Sequence, residues 1–203
     1  MAALAGVVVN DAEVDDRGIG VVGGSILLSA TPPLSNPPDS LPRVSSAEFK
    51  LGMRQVATPT AIATSNWQGE RAGLTVSSFC SLNSDPPRML VCVSRTAGAY
   101  PFIEQGGSLA INVLARHHDA LALRFASGDA CAGEARFESG HWGVLKTGAP
   151  ILMDSVVTFD CCVLTIHQTD THGMVIADVV DVRCEGSEEP LVYRDGKFVT
   201  VEH

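Results

Sequence analysis

The feature that most constrains this chain is a succession of short strand-like segments, each closed by its own turn signal. Thr60–Ser65 alternates small and branched residues, Asn66-Trp67-Gln68-Gly69 follows as a turn, and Arg71–Phe79 returns as a strand. Asp85-Pro86-Pro87 is placed outside any sheet, because neither proline has an N–H to donate. It leads into an apolar strand, Arg88–Ser94. Leu109, Ile111 and Val113 share one face of the next strand, with Asn112 on the other. Long strands follow at Ser155–His167, with Val157, Phe159, Cys161 and Val163 on one face, and at Met174–Cys184. Asp195-Gly196 is a hairpin signal between Leu191–Arg194 and Lys197–Val201.

Helical signals are few and short. Ser45-Ser46-Ala47-Glu48 has the serine-to-glutamate spacing of a capping box and predicts a helix to about Gln55. Thr96–Gln105 and His118–Ala126 are the other two, the latter with Leu121 and Phe125 at i,i+4. Ser127–Lys146 reads as a glycine-rich loop. This order predicts a mainly β fold, a closed antiparallel barrel with a few short helices.

Residues 1–43 stand apart. Gly23-Gly24, Pro32-Pro33 and Pro37-Pro38 interrupt them, and no periodicity is sustained, which predicts a flexible N-terminal arm ahead of a folded domain at 44–203. A formal net charge of −9 argues against nucleic acid, which needs a basic face. It leaves open one anionic cofactor, for which a few local cations and N–H groups suffice. No apolar run approaches a membrane span, and the Val7–Val9 patch has no basic residue ahead of it, so neither a membrane segment nor a secretory signal is predicted. The six cysteines contain no C-x-x-C pair, which fits free thiols in a reducing cytoplasm.

Four segments could carry chemistry. On a strand, Gly73, Thr75 and Ser77 share a flat face with hydroxyls beside bare backbone, suited either to a planar heteroaromatic ring or to plain solvent. Ser94-Arg95-Thr96, between a strand and a helix, offers hydroxyls, a guanidinium and helix N–H groups for a phosphate, or simply caps the helix. Asn112 is an amide among apolar neighbours and must find partners on a ligand or on nearby backbone. His172 adjoins a turn and could meet a ligand edge or stand exposed. His167 and His172 are too poorly spaced to read as a metal site. No Rossmann fingerprint, Walker loop or nucleophile elbow is present.

Taken in order, these segments resemble a known family. FKLGMRQVATPTAIATS, RAGLTVSSFCSLNSDPPRMLVCVSR, SLAINVLARHHDALALRFA, ARFESGHWGVLKTGAPIL, FDCCVLTIHQTDTHGMVIADVVDV and PLVYRDGKF resemble the flavin reductase-like family with the FMN-binding split-barrel fold. Its members are small reductase components of two-component flavin monooxygenases. The resemblance implies a homodimer with FMN or FAD near the subunit interface and NADH or NADPH as reductant. It implies Thr75, Ser77 and Ser78 against the isoalloxazine and ribityl chain, and Ser94 and Arg95 near the phosphate. Asn112 would sit beside the flavin, and Arg136 and Phe137 would close over it. His172 matches a histidine near the nicotinamide, the one candidate catalytic residue. Two departures stand out: Asp170-Thr171-His172 lacks the family's glycine, and Thr58-Pro59-Thr60 stands where a glycine is usual.

The implied function is an NAD(P)H-dependent flavin reductase that supplies reduced flavin to a partner monooxygenase. Two alternatives remain at this level. One is a flavin-binding module without reductase activity. The other is a flavoenzyme acting directly on an organic substrate, with the glycine-rich loop as its lid.

Overall fold

The computed structural model describes residues 20–22, 25–27, 41–128, 133–184 and 188–199. The chain divides into two compact units, Met1–Val44 and Ser45–His203. In the first, β1 (Gly20–Val22) pairs antiparallel with β2 (Ser25–Leu27).

The second unit opens on the predicted capping box. Glu48 N–H donates to Ser45 Oγ at 3.2 Å, and Ser45 N–H donates back to the Glu48 carboxylate at 2.9 Å. Helix α1 (Ser46–Met53) follows and buries none of its side chains. After β3 (Thr58–Pro59), β4 (Ala61–Trp67) and β5 (Glu70–Val76) form a hairpin. Its turn needs left-handed backbone at Gln68 (φ 54°) and Gly69 (φ 84°), which the glycine adopts without steric cost.

β6 (Phe79–Ser84) and β7 (Pro87–Ser94) form the next hairpin. Here the sequence expectation is corrected: Pro87 lies inside the sheet, opposite Ser84. It is the first residue of its strand, a position where the missing N–H is tolerated. Helix α2 (Tyr100–Gly106) begins later than expected, because residues 96–99 form a turn in which Ala97 N–H donates to the Ser94 carbonyl at 3.1 Å. β8 (Ser108–Val113) follows, then a 3-10 turn at Arg116–His118 and α3 (Asp119–Ala126).

The glycine-rich stretch is more ordered than predicted. It holds a 3-10 turn, Gly133–Glu138, and β9 (Trp142–Val144), which pairs with β10 (Pro150–Leu152). The two long strands are β11 (Val157–Gln168) and β12 (His172–Cys184). β13 (Val192–Arg194) and β14 (Lys197–Val199) close on Asp195-Gly196, with φ of 51° and 80°.

Seven strands make one antiparallel sheet in the order β5-β4-β8-β11-β12-β7-β6. The fold is therefore mainly β. Its ladder has two edges, β5 and β6, and among the described residues no backbone pairing joins them. β8 sits near the middle of the sheet, and all six of its residues are buried. Val91, Val93, Leu109, Ile111, Val175 and Ala177 are fully buried in the main core cluster. Each such valine, leucine or isoleucine side chain contributes about 1.5–3 kcal/mol from leaving water. A second cluster holds Ile62, Leu114, Phe125, Phe137 and Leu152. Among the described residues, no helix is long and apolar enough to cross a membrane.

Candidate functional site

The β7–β12 ladder sets His172 directly opposite Ser94. Beyond that pair the chain turns through Arg95 and Thr96. Ser94 Oγ and Thr96 Oγ1 lie 3.0 Å apart, and Thr96 N–H donates to Ser94 Oγ at 3.3 Å. Arg95 N–H donates to the Thr171 carbonyl at 3.0 Å, and its guanidinium Nη1 to the Thr169 carbonyl at 3.3 Å. Ser94, Arg95, Thr96 and Thr171, with Tyr100, Glu104, Gln168 and Asp170, line a cleft of about 640 Å³, which His172 borders only through its ladder partner Ser94. An exposed guanidinium beside two hydroxyls is a donor set suited to a phosphate. The helix terminus predicted to join them does not, since α2 starts only at Tyr100.

His172 is the first residue of β12, not part of the turn before it, and is exposed. Its Nδ1 lies 2.8 Å from Thr171 Oγ1. The turn closes through Thr169 N–H and the His172 carbonyl at 2.8 Å, and none of its residues has positive φ. It therefore has no need of the glycine that the family pattern places there.

Thr96 also borders a second cavity of about 370 Å³, which includes Gly73, Thr75, Phe125, Gly128 and Arg136. The two spaces adjoin at that threonine. Strand alternation puts Arg71, Gly73 and Thr75 on one face of β5, and that face is covered rather than open. A Cβ on Gly73 would lie 2.8 Å from Phe125 Cε1, so the glycine admits a protein ring. Thr75 Oγ1 donates to the Ala122 carbonyl at 2.6 Å. Arg136 Nη1 donates to the Gly73 carbonyl at 2.7 Å, and its Nη2 to the Gly128 carbonyl at 3.1 Å. Phe137 is buried, edge-on to Phe125 at 5.2 Å and to Trp142 at 5.0 Å.

Three sequence candidates lie elsewhere. β5 ends at Val76, so Ser77 leaves the predicted face and opens onto a separate cleft of about 480 Å³ with Thr58, Lys50, Arg54 and Tyr193. Ser78 is exposed, and its carbonyl accepts from Cys92 N–H at 2.9 Å. Asn112 is fully buried with its amide saturated. Nδ2 donates to the Ile62 carbonyl (3.0 Å) and Thr64 Oγ1 (3.2 Å), while Oδ1 accepts from Leu152 N–H (2.8 Å) and Thr158 Oγ1 (3.0 Å). Two donors and two acceptor sites are its whole capacity, which leaves nothing for a ligand. The sequence reading missed Phe125 as a cavity wall, although its i,i+4 spacing from Leu121 already marked a buried face. It also missed Arg71 and Glu134, whose pairing spans 63 residues and leaves no local signal.

His117, His118 and Asp154 bring three potential ligand atoms within 4.8 Å of one another. They do not suit a metal ion. His118 Nδ1 accepts from Ala115 N–H at 3.1 Å, so the neutral ring carries its proton on Nε2, 3.2 Å from Asp154 Oδ2. Burial pushes the His118 pKa below the ordinary 6.5, against the opposing pull of Asp154. The folded state thus binds this proton less readily than the unfolded chain. The stabilisation is complete above about pH 6.5 and declines as pH falls through that value. Between about pH 7.5 and about pH 5, His118→Gln is expected to lose less of its thermal midpoint than the parent. Parallel melts at the two pH values check this, and equal losses would refute it. A buried thiol is equally unsuited to chemistry: burial, with Asp160 adding to it, pushes the Cys161 pKa up to about 12.

Residues 53–202 match the family described as flavin reductase like domain. The chain belongs to that family. Among curated flavin reductase-like relatives, the FMN reductase (NADH) RutF of Agrobacterium fabrum is 37% identical over 153 residues, covering 75% of this chain and 87% of that protein. A flavin reductase domain protein from Arthrobacter sp. FB24 superposes with a TM-score of 0.72 at 26% identity, covering 78% of this chain and 97% of the other. Nitrilotriacetate monooxygenase component B homologue from Mycobacterium thermoresistibile gives 0.69 at 26% identity, covering 78% and 89%.

Proposed function

We propose that this flavin reductase-like protein is an NADH-dependent FMN reductase that hands reduced FMN to a partner monooxygenase. The observation that carries the reading is the meeting of two spaces at Thr96. A phosphate-suited cleft with Ser94 and Arg95 adjoins a cavity with Gly73, Thr75 and Arg136. The name of the Agrobacterium relative supports FMN and NADH, and component B of nitrilotriacetate monooxygenase supports a two-component arrangement.

In this reading Ser94, Arg95 and Thr96 hold the FMN phosphate. Thr75 and Arg136 border the ring space, and Phe137 backs its wall. His172, beside Ser94 in the ladder, orients the nicotinamide. Ser77 serves the separate cleft beside Thr58, and Asn112 holds the strands beneath. Bound FMN supplies the hydride acceptor, so the protein's task is to orient two rings and exclude side reactions, with no general base required.

The coarser features extend in the same way. The seven strands curl into a closed split barrel whose seam lies between β5 and β6, which only Ser77-Ser78 link in sequence. A homodimer would cover Phe49, Leu51 and Met53 of α1, which stand exposed. The expected arm at residues 1–43 lies largely outside the described residues, and the reductase domain is assigned to 44–203. The protein works in the cytoplasm, consistent with free thiols at all five described cysteines; Cys131 lies outside the described residues. Purified protein is expected to oxidise NADH only when FMN is added, with NADPH a poorer reductant. NADH turnover that is absent with FMN, or independent of it, would defeat the reading.

A further inference from the structure

Three arginines hold one wall of the Gly73 cavity. From β5, Arg71 Nε donates to both oxygens of Glu134 at 2.8 and 3.1 Å, and Nη2 donates to the same carboxylate. The Arg71 guanidinium also lies over the Phe137 ring, 4.5 Å from its centre. From α3, Arg124 donates to the Ala135 carbonyl and, at 2.9 Å, to Glu138. Arg136 reaches from the turn itself to the Gly73 carbonyl. Arg71 and Arg136 fasten the 3-10 turn Gly133–Glu138 to the face of β5 that carries Arg71, Gly73 and Thr75, and Arg124 fastens it to α3.

The contacts continue inward from the turn, ring against ring. Phe137 packs edge-on to Phe125, and Phe125 fills the space that a side chain at Gly73 would take. Interiors this close-packed transmit a displacement rather than absorb it. The hydrogen bond from Arg71 also holds the Glu134 carboxyl below its ordinary value, so the pair stays ionised through the neutral range.

We propose that Arg71 is a positioning residue for the flavin. Through Glu134 and Phe137 it holds the Gly133–Glu138 turn against β5, and so sets the shape of the cavity that receives the isoalloxazine ring. This rests on the FMN reading above. The pair itself is partly exposed, with side-chain accessibilities of 32% and 64%, so its effect falls on the shape of the cavity more than on global stability.

FMN affinity by fluorescence titration, together with KM and kcat for NADH oxidation, tests this on the full chain. Variants are Arg71→Ala, Glu134→Gln, Glu134→Arg, Arg71→Glu and the charge-swapped pair Arg71→Glu/Glu134→Arg. Arg71→Ala is expected to weaken FMN binding and raise its KM roughly tenfold, the combined worth of an exposed pair and a cation–π contact, with kcat within about twofold of the parent. Glu134→Gln keeps the ring contact and is expected to show a smaller loss of the same kind. The swapped pair is expected to recover most of what its two single variants lose. Parent protein that takes up no FMN overturns the functional reading and this proposal with it. Parent protein that binds FMN, with Arg71→Ala and Glu134→Gln binding as tightly, overturns the role of Arg71 alone. A fall in kcat at unchanged FMN affinity does the same.

Discussion

Asn112→Ala is expected to lower stability by about 3–5 kcal/mol and the thermal midpoint by roughly 6–20 °C. The substitution breaks four hydrogen bonds at once, although Thr158 keeps Ser155 and Thr64 keeps the Pro150 carbonyl. The Leu152 N–H, the Thr158 hydroxyl, the Ile62 carbonyl and Thr64 Oγ1 all lose their bond to this amide. Asn112, Thr64 and Thr158 are fully buried, and so are Ile62 and Leu152, so water does not replace what is lost. Asn112→Leu, close in size, separates hydrogen bonding from cavity formation. It breaks the same four bonds, leaves the buried Leu152 N–H without its acceptor, and is expected to be nearly as damaging. A variant that melts with the parent but binds FMN poorly would instead make Asn112 a ligand contact.

The second large effect concerns the phosphate. Arg95→Ala is expected to raise the KM for FMN about 10- to 100-fold, the worth of a hydrogen bond to a charged group. Riboflavin has no phosphate, so its KM is expected to move by less than about twofold in the same variant, since only the charged contact is removed. That contrast isolates the contact from any general disturbance of the cleft. Arg95→Lys keeps the charge but loses the planar fork, and is expected to fall between. Equal losses with FMN and riboflavin would place the phosphate elsewhere.

Much of the fold was legible because its signals are local. Ser45 and Glu48 lie within one turn of helix, and Asp195-Gly196 names its own hairpin. Pro87 was misplaced because the rule that bars proline from a ladder relaxes at the first residue of a strand. The covering of the Gly73 face was not legible either. It depends on Phe125 arriving from α3, and nothing near Gly73 in sequence announces that ring. Alternation likewise carried Ser77 onto a face that the strand leaves at Val76.

The candidate site divides along the same line. Ser94, Arg95 and Thr96 are contiguous, and their cleft follows from chain order once β7 ends. His172 joins them only through register, opposite Ser94 in a ladder that periodicity alone does not specify. Asn112 was ambiguous from sequence because a buried amide must be satisfied but may draw its partners from anywhere. Here four different segments supply them. The Arg71–Glu134 pair is the limiting case, a contact made wholly by tertiary folding.

The most direct test of the central claim is anaerobic. A trace of the protein is mixed with excess FMN and NADH, and the flavin absorbance is followed. Many equivalents of FMN are expected to bleach per protein molecule, since reduced FMN leaves and a new one enters. Bleaching that stops at one equivalent, or that never begins, would contradict the claim.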